Sequence, residues 1–94
     1  MSMLFTWDEQ KALANERKHG VDFFEAQTVF GDPNSFTLFD EQHSSMEDRF
    51  INLGLSNKGR LLVVVYTERE SSIRLISCRE ATPEERRHYE QRAY

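Results

Sequence analysis

Residues Arg60 to Arg79 read RLLVVVYTERESSIRLISCR, and the rest of the chain is arranged around this stretch. It holds the longest apolar run, Leu61 to Val65, and a second β-branched segment, Ile73 to Ile76. The polar loop Glu68-Arg69-Glu70-Ser71 joins them, which is the pattern of a β-hairpin. Consecutive apolar residues leave no polar face, so Leu61 to Val65 is predicted to be a central strand covered on both sides. The same hairpin carries four arginines, Arg60, Arg69, Arg74 and Arg79. Strict alternation puts Arg74, Ile76 and Cys78 on one side of the second strand and Ile73, Leu75, Ser77 and Arg79 on the other. Arg74 and Arg79 share a face only if a bulge intervenes.

Outward from the hairpin, the flanks read as helices and shorter strands. Asp8 is a candidate N-cap for a helix to His19, which ends in Lys18-His19-Gly20, cations followed by glycine at the C′ position. Asp22 and Glu25 resemble a capping box, and Phe23, Ala26, Val29 and Phe30 line one side of a second helix from Asp22 to Phe30. Gly31-Asp32-Pro33-Asn34 stops it. Ser35 to Phe39 and Arg49 to Leu55 alternate as strands, separated by a polar, acidic loop. Thr82-Pro83-Glu84-Glu85 combines a hydroxyl cap, a proline at the first helical position and a glutamate three residues after the cap. The helix it opens is almost wholly polar, with Tyr89 marking its apolar stripe, so it is expected to pack weakly or to meet a partner. The expected architecture is one α+β domain over residues 1–94: two N-terminal helices, an antiparallel sheet of about four strands and a C-terminal helix. The helices are expected on one face, leaving the other to the arginines.

Composition narrows the class. Charged residues make up 30% and aromatics 12% of the chain, as in a folded domain. No apolar run approaches a membrane span, and no basic-then-apolar leader is evident. The one cysteine, Cys78, forms no internal disulfide, consistent with a reducing cytoplasm, and reads as a buried, inert thiol. Net charge is −4, yet it is unevenly placed: Arg49 to Arg79 is net +4, while Phe36 to Asp48 is net −4. A basic sheet framed by acidic segments keeps an anionic partner such as RNA in play.

Several chemistries find no support. His19, His43 and His88 lie far apart, with no HxxxH or CxxC, so no metal site is expected. Phosphate-cradling glycine loops and a nucleophile elbow are absent, and no cofactor is expected. Positive charge and histidine remain. Metal-free RNA cleavage needs a proton acceptor for the 2′-hydroxyl, a charge to stabilise the pentacoordinate phosphate and a donor to the leaving 5′-oxygen. Arginine suits the second role, and histidine or a perturbed glutamate, lysine or tyrosine the others. His19 reads either as such a proton-transfer group or as a helix C-terminal cation that interacts with the dipole. The arginines read either as a site or as a solvated strand face. Trp7 and Tyr66 read as base-stacking platforms or as packing. His43 and His88 carry no functional signal in sequence.

An ordered set of motifs carries a resemblance. Trp7-Asp8, Lys11, Asn15, Lys18-His19-Gly20-Val21 and Phe24-Glu25-Ala26 are followed by Arg49-Phe50-Ile51 with Gly54. Then come Leu62-Val63-Val64-Val65-Tyr66-Thr67-Glu68-Arg69 and Ile73-Arg74-Leu75-Ile76-Ser77-Cys78-Arg79, and finally Ala81-Thr82, Glu85-Arg86 and Tyr89. Together they resemble the BrnT toxins over nearly the whole chain. The resemblance implies a RelE-like fold and a metal-independent ribonuclease toxin of a type II toxin–antitoxin pair. It also implies a heteromeric complex with a dimeric BrnA-type antitoxin, through which alone operator DNA is bound. Carried over, it makes Lys18, His19, Arg49, Arg69 and Arg79 candidate catalytic residues. Trp7, Lys11, Arg60, Tyr66 and Arg74 become candidates to hold RNA, and Tyr89 a candidate for the partner contact. The rival class is a non-catalytic corepressor module whose task is to hold the antitoxin, favoured by the acidic faces and the polar last helix.

Overall fold

Two aspartate caps set the helical layer. In the computed structural model, which describes residues 3–93, the Asp8 carboxylate accepts the Lys11 backbone N–H at 3.0 Å and opens α1 (Glu9–His19). Gly20 closes α1 at φ 71°, a left-handed value that glycine adopts without strain. Asp22 accepts the Glu25 N–H at 2.7 Å and opens α2 (Phe23–Thr28). The expected second helix is thus present, but its last turn tightens into a 3-10 turn, Val29–Gly31.

The sheet contains β1 (Leu4–Thr6), β2 (Phe36–Phe39), β3 (Phe50–Leu55), β4 (Leu61–Arg69) and β5 (Ser72–Glu80) in the order β1-β5-β4-β3-β2. Four of these strands match the expectation of an antiparallel sheet. The correction is β1, a three-residue strand before α1 that runs parallel to β5 and makes the sheet mixed. Three residues are too few for alternation to be read in sequence. β4 is central, as the apolar run predicts, and Leu61, Leu62, Val63 and Val64 are all buried.

The two faces of β4 feed two cores. Leu62, Val64 and Tyr66 pack with Ile73, Leu75 and Cys78 under α1 and α2. Leu61 and Val63 pack with Leu53 and Tyr89 on the opposite face. The placement of all helices on one face is therefore corrected: α3 (Pro83–Ala93) crosses to the arginine face. Tyr89 explains why. It is 6% exposed, and its hydroxyl donates to Asp32 Oδ2 at 2.6 Å. Its stripe is spent inside the domain, where burying one aromatic is worth about 1.5–3 kcal/mol, so Tyr89 is not an open partner contact.

A bulge answers the parity question posed by the hairpin. Val65 pairs with Ser77 and Tyr66 with Leu75, so Ile76 is an extra residue on β5. Beyond it the alternation restarts. Arg74 pairs with Thr67, Ser77 with Val65 and Arg79 with Val63. Directly paired residues share a face, so Arg74 and Arg79 look the same way despite their odd spacing.

Candidate active site

On the arginine face, beside α3, a cavity of about 470 Å³ opens between β5 and the β2–β3 loop. Ile51, Val63 and Val65 line it with apolar surface, and its polar groups include His19, His43, Arg49 and Arg79 together with Asp40, Gln42 and Ser77. Three of the five candidate catalytic residues, His19, Arg49 and Arg79, are thereby brought together from α1, the start of β3 and the end of β5.

His19 is delivered by Asn15. β1 ends at Thr6, opposite Arg74, and the outer edge of β5 runs on past it. Asn15 is buried there and substitutes for a strand: its amide donates to the Cys78 carbonyl at 2.9 Å, and its carbonyl accepts the Cys78 N–H at 3.0 Å. The same amide donates to the Val21 carbonyl at 3.1 Å. Asn15 and His19 are one helical turn apart, so clamping the first to β5 aims the second at the cavity. The sequence marked Asn15 as one of the ordered motif residues but gave no sign of its reach to β5.

Arg49 and His43 stand on a braced loop. The Asp40 N–H donates to the Arg49 carbonyl at 2.8 Å, and the Arg49 N–H donates to Ser44 Oγ at 2.9 Å. The Ser44 hydroxyl in turn donates to the Asp40 carbonyl, closing a ring of backbone contacts. Within that loop, His43 Nδ1 lies 3.0 and 3.2 Å from the two Asp40 carboxylate oxygens. His43 is the site residue that sequence reasoning missed.

Arg79 is gripped from α3. Its guanidinium donates to both Glu85 oxygens, at 2.8 and 2.9 Å, a bidentate pair. Glu85 also caps α3, accepting the Thr82 N–H at 2.8 Å. The Arg79 hydrogen bonds are the main cause that holds the Glu85 carboxyl down at about 2. Cys78 lies at the cavity, but burial pushes its thiol up to about 12, so it is no thiolate nucleophile.

The remaining candidates lie elsewhere. Lys18 and Lys11 are exposed on α1 and do not line the cavity. Arg69 is at the far end of β4, 3.4 Å from Glu47, and Arg74 shares the arginine face nearer β1. Trp7 packs edge-on against Phe23 and Phe24 on the helix side, at centroid distances of 5.9 and 5.1 Å. Two placements are corrections. Arg60 lies on the helix face, where Nε donates to Glu25 Oε2 at 2.9 Å and Nη2 donates to Glu25 Oε1. Glu25 is 3% exposed and accepts also from the Ser56 hydroxyl at 2.7 Å, so Arg60 is committed to a buried carboxylate. Tyr66 is 4% exposed and stacked on Phe50 at 5.6 Å, leaving no ring face for a base.

The arrangement suits a phosphodiester that gains charge as it becomes pentacoordinate: arginines for its oxygens and imidazoles for its protons. Among the described residues, no helix is long and apolar enough to cross a membrane. Comparison with known proteins agrees with this chemistry. No curated protein matches. Among solved structures, the ribonuclease toxin BrnT of Brucella abortus superposes with a TM-score of 0.68 at 25% identity, covering 86% of this chain and 99% of that one. Residues 7–85 match the family described as "Ribonuclease toxin, BrnT, of type II toxin-antitoxin system". The chain belongs to the BrnT family of ribonuclease toxins of type II toxin–antitoxin systems.

Proposed function

We propose that this chain is a metal-independent endoribonuclease that cleaves mRNA in the cytoplasm and so inhibits translation. The convergence of His19, Arg49 and Arg79 on one cavity carries this reading. Arg49 and Arg79 hold the scissile phosphate and stabilise its extra charge, and His19 moves a proton. Lys18, beside His19, and Arg69, Arg74, Trp7 and Lys11, outside the cavity, are left to contact flanking nucleotides. A BrnA-type antitoxin, as a dimer, neutralises the toxin, and the complex represses its own operon through the antitoxin's DNA-binding part. The test is cleavage of single-stranded RNA by the purified chain, with and without a chelator, and with the RNA ends mapped. Chelator-resistant cleavage leaving a cyclic phosphate is the expected result. Cleavage that chelator abolishes removes the metal-free mechanism.

One observation favours the rival reading of a corepressor that only holds the antitoxin. A second cavity of about 530 Å³, lined by Phe36, Leu38, Ile51 and Leu53, lies between α3 and the edge strand β2, whose Leu38 and Phe39 are about half exposed. An apolar edge of this kind suits a protein partner. Absence of RNA cleavage by the free chain, with altered operator affinity of the complex, selects that reading.

A further inference from the structure

Resting on the ribonuclease reading, the geometry points to His43, oriented by Asp40, as the general base of the cleavage reaction, with His19 as the opposing acid. A carboxylate only accepts hydrogen bonds. The contacts of 3.0 and 3.2 Å from Asp40 therefore assign a hydrogen to His43 Nδ1, and in the neutral ring Nε2 then carries the lone pair that accepts a proton. Asp40 is itself fixed, because its backbone N–H and carbonyl belong to the brace that holds Arg49. The imidazole side chain is 62% exposed, so it is reachable by RNA, while the Asp40 side chain behind it is 11% exposed.

Placement supports a division of labour. In-line displacement at phosphorus needs the proton acceptor and the proton donor on opposite sides of the reacting centre. His43 enters the cavity from the β2–β3 loop, on the β3 side of the central strand β4. His19 enters from α1, which is clamped to the outer edge of β5, on the other side of β4. Arg49 and Arg79 complete the lining of the same cavity. In the reaction, His43 Nε2 takes the 2′-hydroxyl proton as the O2′–P bond forms. The P–O5′ bond breaks, and O5′ receives the proton of His19. The products are a 2′,3′-cyclic phosphate and a 5′-hydroxyl end. His43 is left protonated and His19 neutral, and solvent exchange restores both.

Two substrates separate the roles: a short RNA with one natural scissile linkage, and the same RNA with a sulfur bridging at the 5′ position. A thiolate leaves without protonation, so it removes the need for the acid but not for the base. His43→Gln is expected to slow the natural substrate by about 10²–10⁴-fold and to remain slow on the sulfur substrate. His19→Gln is expected to be slow on the natural linkage and restored on the sulfur one. Asp40→Asn, which keeps the shape and the backbone brace, lowers kcat with little change in KM, because Asp40 acts through the imidazole. His88→Gln, a histidine outside this cavity, cleaves as wild type. His43→Gln with an undiminished rate, or its rescue by the sulfur leaving group, overturns the assignment while the ribonuclease reading stands. A wild-type chain inert on both substrates overturns the ribonuclease reading and the assignment together.

Discussion

At Asn15, three hydrogen bonds converge on one amide, and all three partners are backbone groups of β5 or of the turn after α1. Leaving buried backbone groups without partners costs about 1–3 kcal/mol each. Asn15→Ala is therefore expected to lower unfolding free energy by about 3 kcal/mol in urea titration. It should also cut cleavage per folded molecule, since His19 rides on the same face of α1. Arg60 and Arg79 make the complementary contrast. Both are arginines in ion pairs with a glutamate, but Glu25 is nearly fully buried whereas Glu85 is partly exposed. Arg60→Met leaves the buried Glu25 carboxylate with only the Ser56 hydroxyl and Lys58 at 4.0 Å, and is expected to cost about 3 kcal/mol, with cleavage per folded molecule unchanged. Loss of cleavage in folded Arg60→Met would return that residue to the site.

At the scale of elements, α3 is the least apolar helix and the most dependent on carboxylates. Glu85 holds it to Arg79, and Asp32 accepts the Tyr89 hydroxyl. Burial pushes the Asp32 carboxyl up, but hydrogen bonds from the Leu55 N–H, the Tyr89 hydroxyl and the Asn34 N–H together outweigh it and hold it below its ordinary value. Glu85 falls from an ordinary 4.5 to about 2. For a carboxyl depressed on folding, the stabilisation is present above the ordinary value and is lost as pH falls towards the folded one. Acidification from 4.5 towards about 2 should thus loosen α3 before the sheet. Amide exchange that accelerates in Arg86 to Gln91 while Leu62 to Val64 stay protected is the expected signature. Simultaneous loss in both would show α3 and the sheet to be one cooperative unit. The bulge at Ile76 belongs to the same scale, since one extra residue decides which face receives Ser77 and Arg79.

For the whole molecule, a net charge of −4 coexists with two arginines gathered at one cavity, and acids are paired off locally. Asp40 lies on His43, Glu47 on Arg69, Glu85 on Arg79 and Glu25 on Arg60. The acidic loop that looked like a counterweight to the sheet in fact folds onto it. The two guanidiniums of the cavity alone imply a log–log salt slope of about −1.4 for single-stranded RNA, measurable by titration at several ionic strengths. Engagement of Lys11, Lys18, Arg69 and Arg74 by flanking nucleotides steepens it to about −4, so a slope near −1.4 would remove those four from the RNA path.

Sequence by itself determined the local elements, because their causes lie within a few residues. Asp8 and Asp22 cap the next turn, Thr82 and Glu85 cap each other, and Leu61 to Val65 has no polar face to show to water. The ordered motifs likewise carried the family and picked out three of the cavity's polar residues, His19, Arg49 and Arg79. Only the tertiary structure decided which arginines line the cavity and which are tied elsewhere. Arg60 and Glu25 are 35 residues apart in the chain, and Asn15 reaches Cys78 across 63, distances over which no periodicity speaks. Register was equally out of reach. Whether Arg74 and Arg79 share a face depends on a cross-strand bulge, which exists only once β4 and β5 pair. His43, silent in a polar loop, reached the cavity only when that loop closed over the sheet and set its imidazole on Asp40.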